Sequence, residues 1–281
     1  MMPWRDRAGR LSPLKLAVFV ALFVPAVWVW WLWMGDQLGP RPLNEAIHEI
    51  GRWTARILLL SLAITPLRGV LRWGELMLVR RMVGVAAFFY VVLHLALYAA
   101  DENWHLGKVA SEIVLRFYLT IGFAALLILL ALAVTSFDRA IKAMGGARWR
   151  RLHSAVYGAG VLAMIHAILQ SKVDTSEAML MTGLFVWLMG WRVLKAREWT
   201  GFAGLLSLAV FAALATACIE AGWYAFGTGV DATRVLAANL DVSFGLRPAL
   251  WVGIAGLAVV LAAQLRRLSG PRRRRQALAT T

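Results

Sequence analysis

The chain has 281 residues, 60% of them apolar and only 16% charged, with a mean hydropathy of +0.67. A soluble domain is about half apolar and about a quarter charged, and no single core could hide this excess, so composition excludes both a soluble globular enzyme and a disordered chain. The net charge of +15 is therefore read first as a membrane-topology signal, and the single cysteine, Cys218, excludes an internal disulfide, a thiolate zinc site and an iron–sulfur cluster.

A hydrocarbon core about 30 Å thick needs roughly 20 apolar residues per helix. Runs of that kind, bounded by charge, predict an all-α polytopic bundle of about eight transmembrane helices. The first covers residues 16–34, after a basic segment at 1–15. Its apolar run is too long for a signal peptide and no small-residue cleavage site follows, which reads as an uncleaved anchor. Trp28, Trp30, Trp31 and Trp33 crowd its outer end as an aromatic belt. The second run, 53–67, is short, and the amphipathic stretch 43–52 offers an earlier start. The others cover 82–100, 117–137, 153–170, 178–194, 200–221 and 248–265. The longest connection, 222–247, carries no recognisable motif.

Placing both termini in the cytoplasm puts most basic residues inside. The inner segments hold Arg5, Arg7, Arg10 and Lys15; Arg68, Arg72, Arg80 and Arg81; Arg139, Lys142, Arg148, Arg150 and Arg151; Arg192, Lys195 and Arg197; and Arg266, Arg267 and the arginines at 272–275. The outer side keeps Arg41, Arg52, Arg56, Lys108, Arg116, Lys172, Arg234 and Arg247, together with Asp36, Asp101, Glu102, Asp174 and Glu177. The basic tail, 269–281, then retains the C-terminus in the cytoplasm and attracts anionic membrane lipid, with no nucleic-acid partner.

The five histidines are the informative residues. His105 reads as a solvated outer-loop residue, and His48 as an interfacial residue, a haem propionate partner or a third candidate ligand. His94 and His166 lie inside apolar spans, where an ionisable group needs a partner. Their spans, the third and fifth, cross in the same direction. His94 is 12 residues into its span and His166 is 13 into its own, which places both roughly 18–20 Å from the inner boundary. Two neutral imidazoles facing each other at one depth suit six-coordinate haem iron, with a hydrogen bond to a neighbouring helix as the alternative for either ring. His153 lies about 20 Å below, level with Arg81. Thirteen residues leave His153 and His166 about 140° apart around an ideal helix, so they share a face only through tilt or a π-bulge. Tyr90 and Tyr157, each four residues from a key histidine, lie on the same helical faces for hydrogen bonding or for packing. Arg52 and Arg56 open the second span at the outer level, to pair with propionates or to snorkel to the interface.

Several stretches together resemble the MsrQ (YedZ) family, the haem-binding membrane subunit of a periplasmic methionine sulfoxide reductase system within the ferric-reductase-like transmembrane group. They are Gly51, Arg52, Trp53, Thr54 and Ala55, running on to Ile64, Thr65, Pro66 and Leu67; Arg80, Arg81, Met82, Val83 and Gly84; Leu93, His94 and Leu95; Arg116, Phe117, Tyr118, Leu119 and Thr120; and Arg148, Trp149, Arg150, Arg151, Leu152, His153, Ser154, Ala155, Val156 and Tyr157. The resemblance covers about residues 43–173. It implies b-type haem, with the family's histidines carried onto His94, His153 and His166, and an FMN. It also implies electron supply to a periplasmic MsrP-type molybdopterin reductase that repairs oxidised envelope proteins. The donor would be the quinone pool or a cytoplasmic flavin reductase. On this reading residues 16–195 form a haem-binding core in the bacterial inner membrane, and 196–268 add two helices.

Ferric reductases carry two histidines on each of two helices, whereas here the residue level with His153 is Arg81. Arginine is not a haem ligand but pairs well with phosphate or carboxylate. The expectation is one haem between His94 and His166, and an inner site at Arg80, Arg81, Arg150, Arg151 and His153 for FMN phosphate or a quinone headgroup. A solvated topogenic cluster is the alternative for those arginines. The chain would be the electron-transfer half of an oxidoreductase. A stand-alone ferric or quinone reductase is the competing reading, but no Gly-rich nucleotide fingerprint follows the spans. A histidine-based proton-coupled transporter ranks lower, because Glu220 alone stands as a candidate buried acid.

Overall fold

A computed structural model describes residues 3–5, 9–171, 174–243 and 245–268. Arg7, Lys172 and the basic tail at 269–281 lie outside the described residues. Within them the fold is all-helical, and eight helices or helix pairs are long and apolar enough to cross a membrane. The chain is a multi-pass membrane protein. Its compact contacts divide into two units, Met1–Ile64 with Glu75–Met181, and Thr65–Gly74 with Thr182–Thr281.

The first predicted span is two helices, α1 (Pro13–Ala21) and α2 (Val24–Met34). Pro25 in the first turn of α2 has no N–H to donate. The Tyr90 hydroxyl occupies the break, donating to the Leu22 carbonyl (2.7 Å) and accepting from the Ala26 N–H (3.2 Å). These two groups would bond directly in an unbroken helix, so Tyr90 splices the ladder and is not directed at His94. The second span, α3 (Pro42–Leu71), begins at Pro42 and includes the amphipathic stretch as regular helix. At 30 residues it is roughly 45 Å long, well beyond a hydrocarbon core.

After a 3-10 turn, Gly74–Leu78, come α4 (Arg80–Asp101) and an unpredicted amphipathic helix, α5 (Leu106–Leu115). Then follow α6 (Phe117–Val134), the short α7 (Asp138–Met144), α8 (Gly146–His153) and α9 (Val156–Gln170). The fifth span is therefore two helices joined at Ser154 and Ala155. In this first unit Ile50, Ile57 and Leu58 of α3, Val83 and Ala87 of α4, Leu129 and Leu132 of α6 and Ala159 of α9 form the buried core.

The sixth span is α10 (Ser176–Ala196), whose inner part belongs to the second unit with α11 (Phe202–Thr228), α12 (Ala232–Ala238) and α13 (Pro248–Leu268). Lipid supplies no hydrophobic drive between helices, so close backbone approach at small residues holds them. A Cβ on Gly256 of α13 would stand 2.6 Å from that of Ala209 on α11. The connection at 222–247 is not the featureless loop its composition suggested: α11 runs on to Thr228, α12 follows, and both ends converge on Glu220. That carboxylate is fully buried, accepting from Arg247 Nη2 (2.7 Å) and Asn239 Nδ2 (3.0 Å).

Removing one partner of a buried ion pair leaves the other charge uncompensated. Arg247→Leu alone strands the buried Glu220 carboxylate and is expected to lower stability by about 3 kcal/mol, and Arg247→Leu with Glu220→Leu to restore most of it. Thermal unfolding in detergent checks this; a double variant no more stable than the single one contradicts the ion-pair account.

Candidate functional site

His94 on α4 and His166 on α9 come together in the first unit, with ring centroids 6.3 Å apart and planes crossed at 86°. Each ring is oriented by a backbone carbonyl of a neighbouring helix. His94 Nδ1 lies 2.9 Å from the Ile47 carbonyl of α3, and His166 Nδ1 lies 2.8 Å from the Tyr118 carbonyl of α6. A carbonyl only accepts, so Nδ1 carries the proton in both neutral rings and the Nε2 lone pair is left unprotonated. This is the arrangement of metal-ligating histidines, whose second nitrogen donates to a backbone carbonyl or carboxylate.

Spacing gives an independent test of fit. An imidazole nitrogen sits about 2.0 Å from a bound metal, with the ring centre roughly 1.1 Å behind it, so two imidazoles on opposite sides of one iron have centroids about 6 Å apart. The observed separation agrees. Among the described residues no cluster of three or more His, Cys, Asp or Glu is placed to hold a metal ion. Two axial nitrogens suffice only where a macrocycle provides the remaining ligands, so these residues fit haem better than a bare ion.

The cluster around His153 is differently built. Thr135 at the end of α6 donates its hydroxyl to the Ala131 carbonyl (2.7 Å), so at 3.1 Å from His153 Nε2 it accepts the imidazole N–H. Trp149 stacks on the same ring (centroids 4.0 Å, 27°) and donates Nε1–H to the Thr135 carbonyl (2.9 Å). His153 thus has the opposite tautomer, with Nε2 already engaged. The helix break after His153 also removes the premise of the 140° argument, since 153 and 166 do not share one regular helix. Arg81 pairs with Asp138 of α7 (2.8 Å), with both side chains largely exposed, and Arg151 is exposed on α8.

Arg52 is bonded to Glu49 and lies 3.6 Å from Glu177, while Arg56 lies 2.5 Å from Glu177 with its guanidinium 4.5 Å over the Trp53 ring. These arginines are held by protein carboxylates and an aromatic face. His48 is partly buried on α3, and His105 is exposed just before α5. The Ile47 and Tyr118 carbonyls, which orient the two central rings, gave no side-chain signal in the sequence.

Residues 50–164 match the family model described as the ferric reductase like transmembrane component. The chain is 42% identical over 193 residues to the protein-methionine-sulfoxide reductase heme-binding subunit MsrQ of Rhodospirillum rubrum, covering 68% of this chain and 90% of that protein. It is 37% identical over 182 residues to the MsrQ subunit of Polaromonas naphthalenivorans, covering 64% and 83%, and 36% identical over 197 residues to that of Azospira oryzae, covering 69% and 84%. No solved structure matches the chain.

Thr135→Val removes the acceptor for His153 and is expected to cost about 1 kcal/mol, while Thr135→Ser keeps it. Thermal unfolding of the two variants checks this; equal losses contradict the hydrogen bond.

Proposed function

The chain belongs to the MsrQ family, and from that premise we propose that it is a membrane cytochrome b subunit that passes electrons outward to a periplasmic methionine sulfoxide reductase. The observation that carries this reading is the His94–His166 pair, 6.3 Å apart with both Nδ1 positions bonded to carbonyls. The two Nε2 atoms would hold a single b-type haem. When bound, the haem supplies one-electron iron chemistry that no side chain offers.

The remaining work belongs to the chain. The Ile47 and Tyr118 carbonyls fix the tautomer of each imidazole and raise its basicity, which would favour the oxidised form of a metal held there. Val91 and Leu97, about one turn either side of His94, and Ala163, about one turn before His166, pack into the core and exclude water. His153 lies apart from the central pair, with its Nε2 bonded to Thr135 and its ring stacked on Trp149. We assign Arg80, Arg81, Arg150, Arg151 and His153 to a cationic inner rim that receives FMN phosphate or a quinone headgroup. The Arg81–Asp138 pair does not prevent this, because exposed ion pairs are worth about 0–1 kcal/mol and exchange readily.

Electrons enter at that rim from the quinone pool or a cytoplasmic flavin reductase and leave on the periplasmic side to an MsrP-type molybdopterin partner. The chain itself makes and breaks no covalent bond of the substrate. It resides in the bacterial inner membrane with both termini in the cytoplasm, which the even number of spans and the basic inner segments support. Residues 16–195 are the haem-binding core. The two helices of 196–268 extend it, in keeping with relatives that cover only about two thirds of the chain.

The test is a reduced-minus-oxidised optical spectrum of the purified protein. Wild type is expected to show b-type α and Soret bands with one haem per chain by pyridine haemochrome, and His94→Ala and His166→Ala each to lose them. Bands that persist in both variants, or two haems per chain, overturn the assignment. For the inner rim, Arg81→Ala and Arg151→Ala are each expected to reduce bound FMN several-fold. Unchanged flavin retention, with quinol-driven haem reduction also unchanged, overturns the rim.

A further inference from the structure

The two central imidazoles are seated by the same local device, built twice. Each acceptor carbonyl is followed four residues later by a glycine: Ile47 by Gly51 on α3, and Tyr118 by Gly122 on α6. Written out, Ile47, His48, Glu49, Ile50, Gly51 stands against Tyr118, Leu119, Thr120, Ile121, Gly122, with isoleucine fourth and glycine fifth in both.

Helix geometry gives the glycine its purpose. The carbonyl of residue i is already bonded along the helix to the N–H of residue i+4, so a second donor must approach its other lone pair from the side. In an α-helix the Cα–Cβ bond tilts towards the N-terminus, and a side chain at i+4 covers the turn containing that carbonyl. Only glycine leaves it open. The histidine rings fill the opening: a Cβ on Gly51 would stand 3.1 Å from His94 Cε1 and 3.2 Å from its Nδ1. A Cβ on Gly122 would stand 2.8 Å from both His166 Cε1 and Nδ1. The second distance is shorter than real Cβ contacts, so the ring must move.

We propose that Gly51 and Gly122 are positioning residues for the two ligands. Each uncovers a helix carbonyl so that an imidazole can donate Nδ1–H to it, and thereby points the unprotonated Nε2 at the metal. The inference rests on the haem assignment above. It adds that ligand seating depends on two positions that touch neither metal nor substrate and carry no side chain. The two notches are unequal: Gly122 is the tighter, so His166 is the ligand more easily dislodged.

The same spans provide controls. A Cβ on Gly84 of α4 or on Gly158 of α9 would meet nothing within 4 Å. Alanine also favours helix over glycine, so on helix propensity alone all four Gly→Ala changes leave the protein at least as stable. Loss of haem without loss of fold therefore separates positioning from general structure.

The experiment purifies wild type and the Gly51→Ala, Gly122→Ala, Gly84→Ala and Gly158→Ala variants in detergent. It measures haem affinity by titration of the apoprotein, the ferric spin state by optical spectroscopy, and helicity with thermal unfolding of the apoprotein. Gly122→Ala is expected to weaken haem binding about 10–100-fold and to convert low-spin haem to a high-spin form, with apoprotein helicity unchanged. Gly51→Ala is expected to shift both readouts in the same direction by less, and the two controls to match wild type. Wild-type affinity and spin state in both Gly122→Ala and Gly51→Ala overturn the inference while leaving the haem assignment standing. An equal loss in Gly84→Ala or Gly158→Ala overturns it too. A wild-type protein that binds no haem removes the assignment itself. Should Gly122→Ala fail to accumulate in folded form, Gly51→Ala decides alone: an unchanged spectrum and affinity overturns the inference.

Discussion

The bond from an imidazole N–H to a helix carbonyl organises this protein. At membrane depth a histidine without a partner is costly, and both His94 and His166 resolve that cost through Nδ1. Once each Nδ1 is committed, Nε2 is left with a lone pair, and the two rings lie with centroids 6.3 Å apart. The paired rings follow from satisfying two buried polar groups, and their spacing follows from how α4 and α9 each pack against α6 in the first unit. His153 is the counter-example within the same chain. Its Nε2–H goes to Thr135, and its ring is covered by Trp149. The three histidines thus acquire two tautomers, set by the acceptor that each ring meets.

The bilayer shapes the rest. With no hydrophobic drive between helices in lipid, the protein relies on polar splices and small-residue contacts. Tyr90 stitches the break between α1 and α2 by bridging Leu22 and Ala26, and in the second unit Glu220 gathers Asn239 and Arg247 beneath the outer connection. Both devices place hydrogen-bonding groups where the backbone departs from regular helix, the positions at which an apolar medium penalises unpaired groups most. The same constraint explains the long α3. It carries the Ile47 carbonyl in a segment too polar to count as a span, yet held as helix by the packing of Ala46, Ile47 and Ile50.

Much of this was legible in the sequence, because lipid imposes a length and a composition that a linear chain displays openly. All eight crossings appear as apolar runs, and counting residues from span boundaries was enough to bring His94 level with His166. The misses have a common cause. Helices α5, α7 and α12 are short and interrupted by charge, so no run announces them. The connection at 222–247 looked featureless since its anchor, Glu220, lies in the preceding span. Tyr90 shares a helical face with His94, but its bond goes to a helix break that only the packed structure reveals. The carbonyls of Ile47 and Tyr118 are backbone groups, silent in any reading of side chains. Their trace was the glycine one turn on, which the sequence offered twice beside a histidine-bearing span.

His94 and His166 would hold one iron between two rings whose planes cross at 86°. Crossed axial imidazoles leave two iron d-orbitals nearly equal in energy, which produces a highly anisotropic low-spin signal in low-temperature electron paramagnetic resonance of the ferric protein. Parallel planes produce an ordinary rhombic low-spin signal, and a missing ligand a high-spin one. The highly anisotropic signal is expected as the dominant species in the purified wild-type protein. A spectrum dominated by high-spin iron, or by an ordinary rhombic low-spin signal, would contradict the crossed pair.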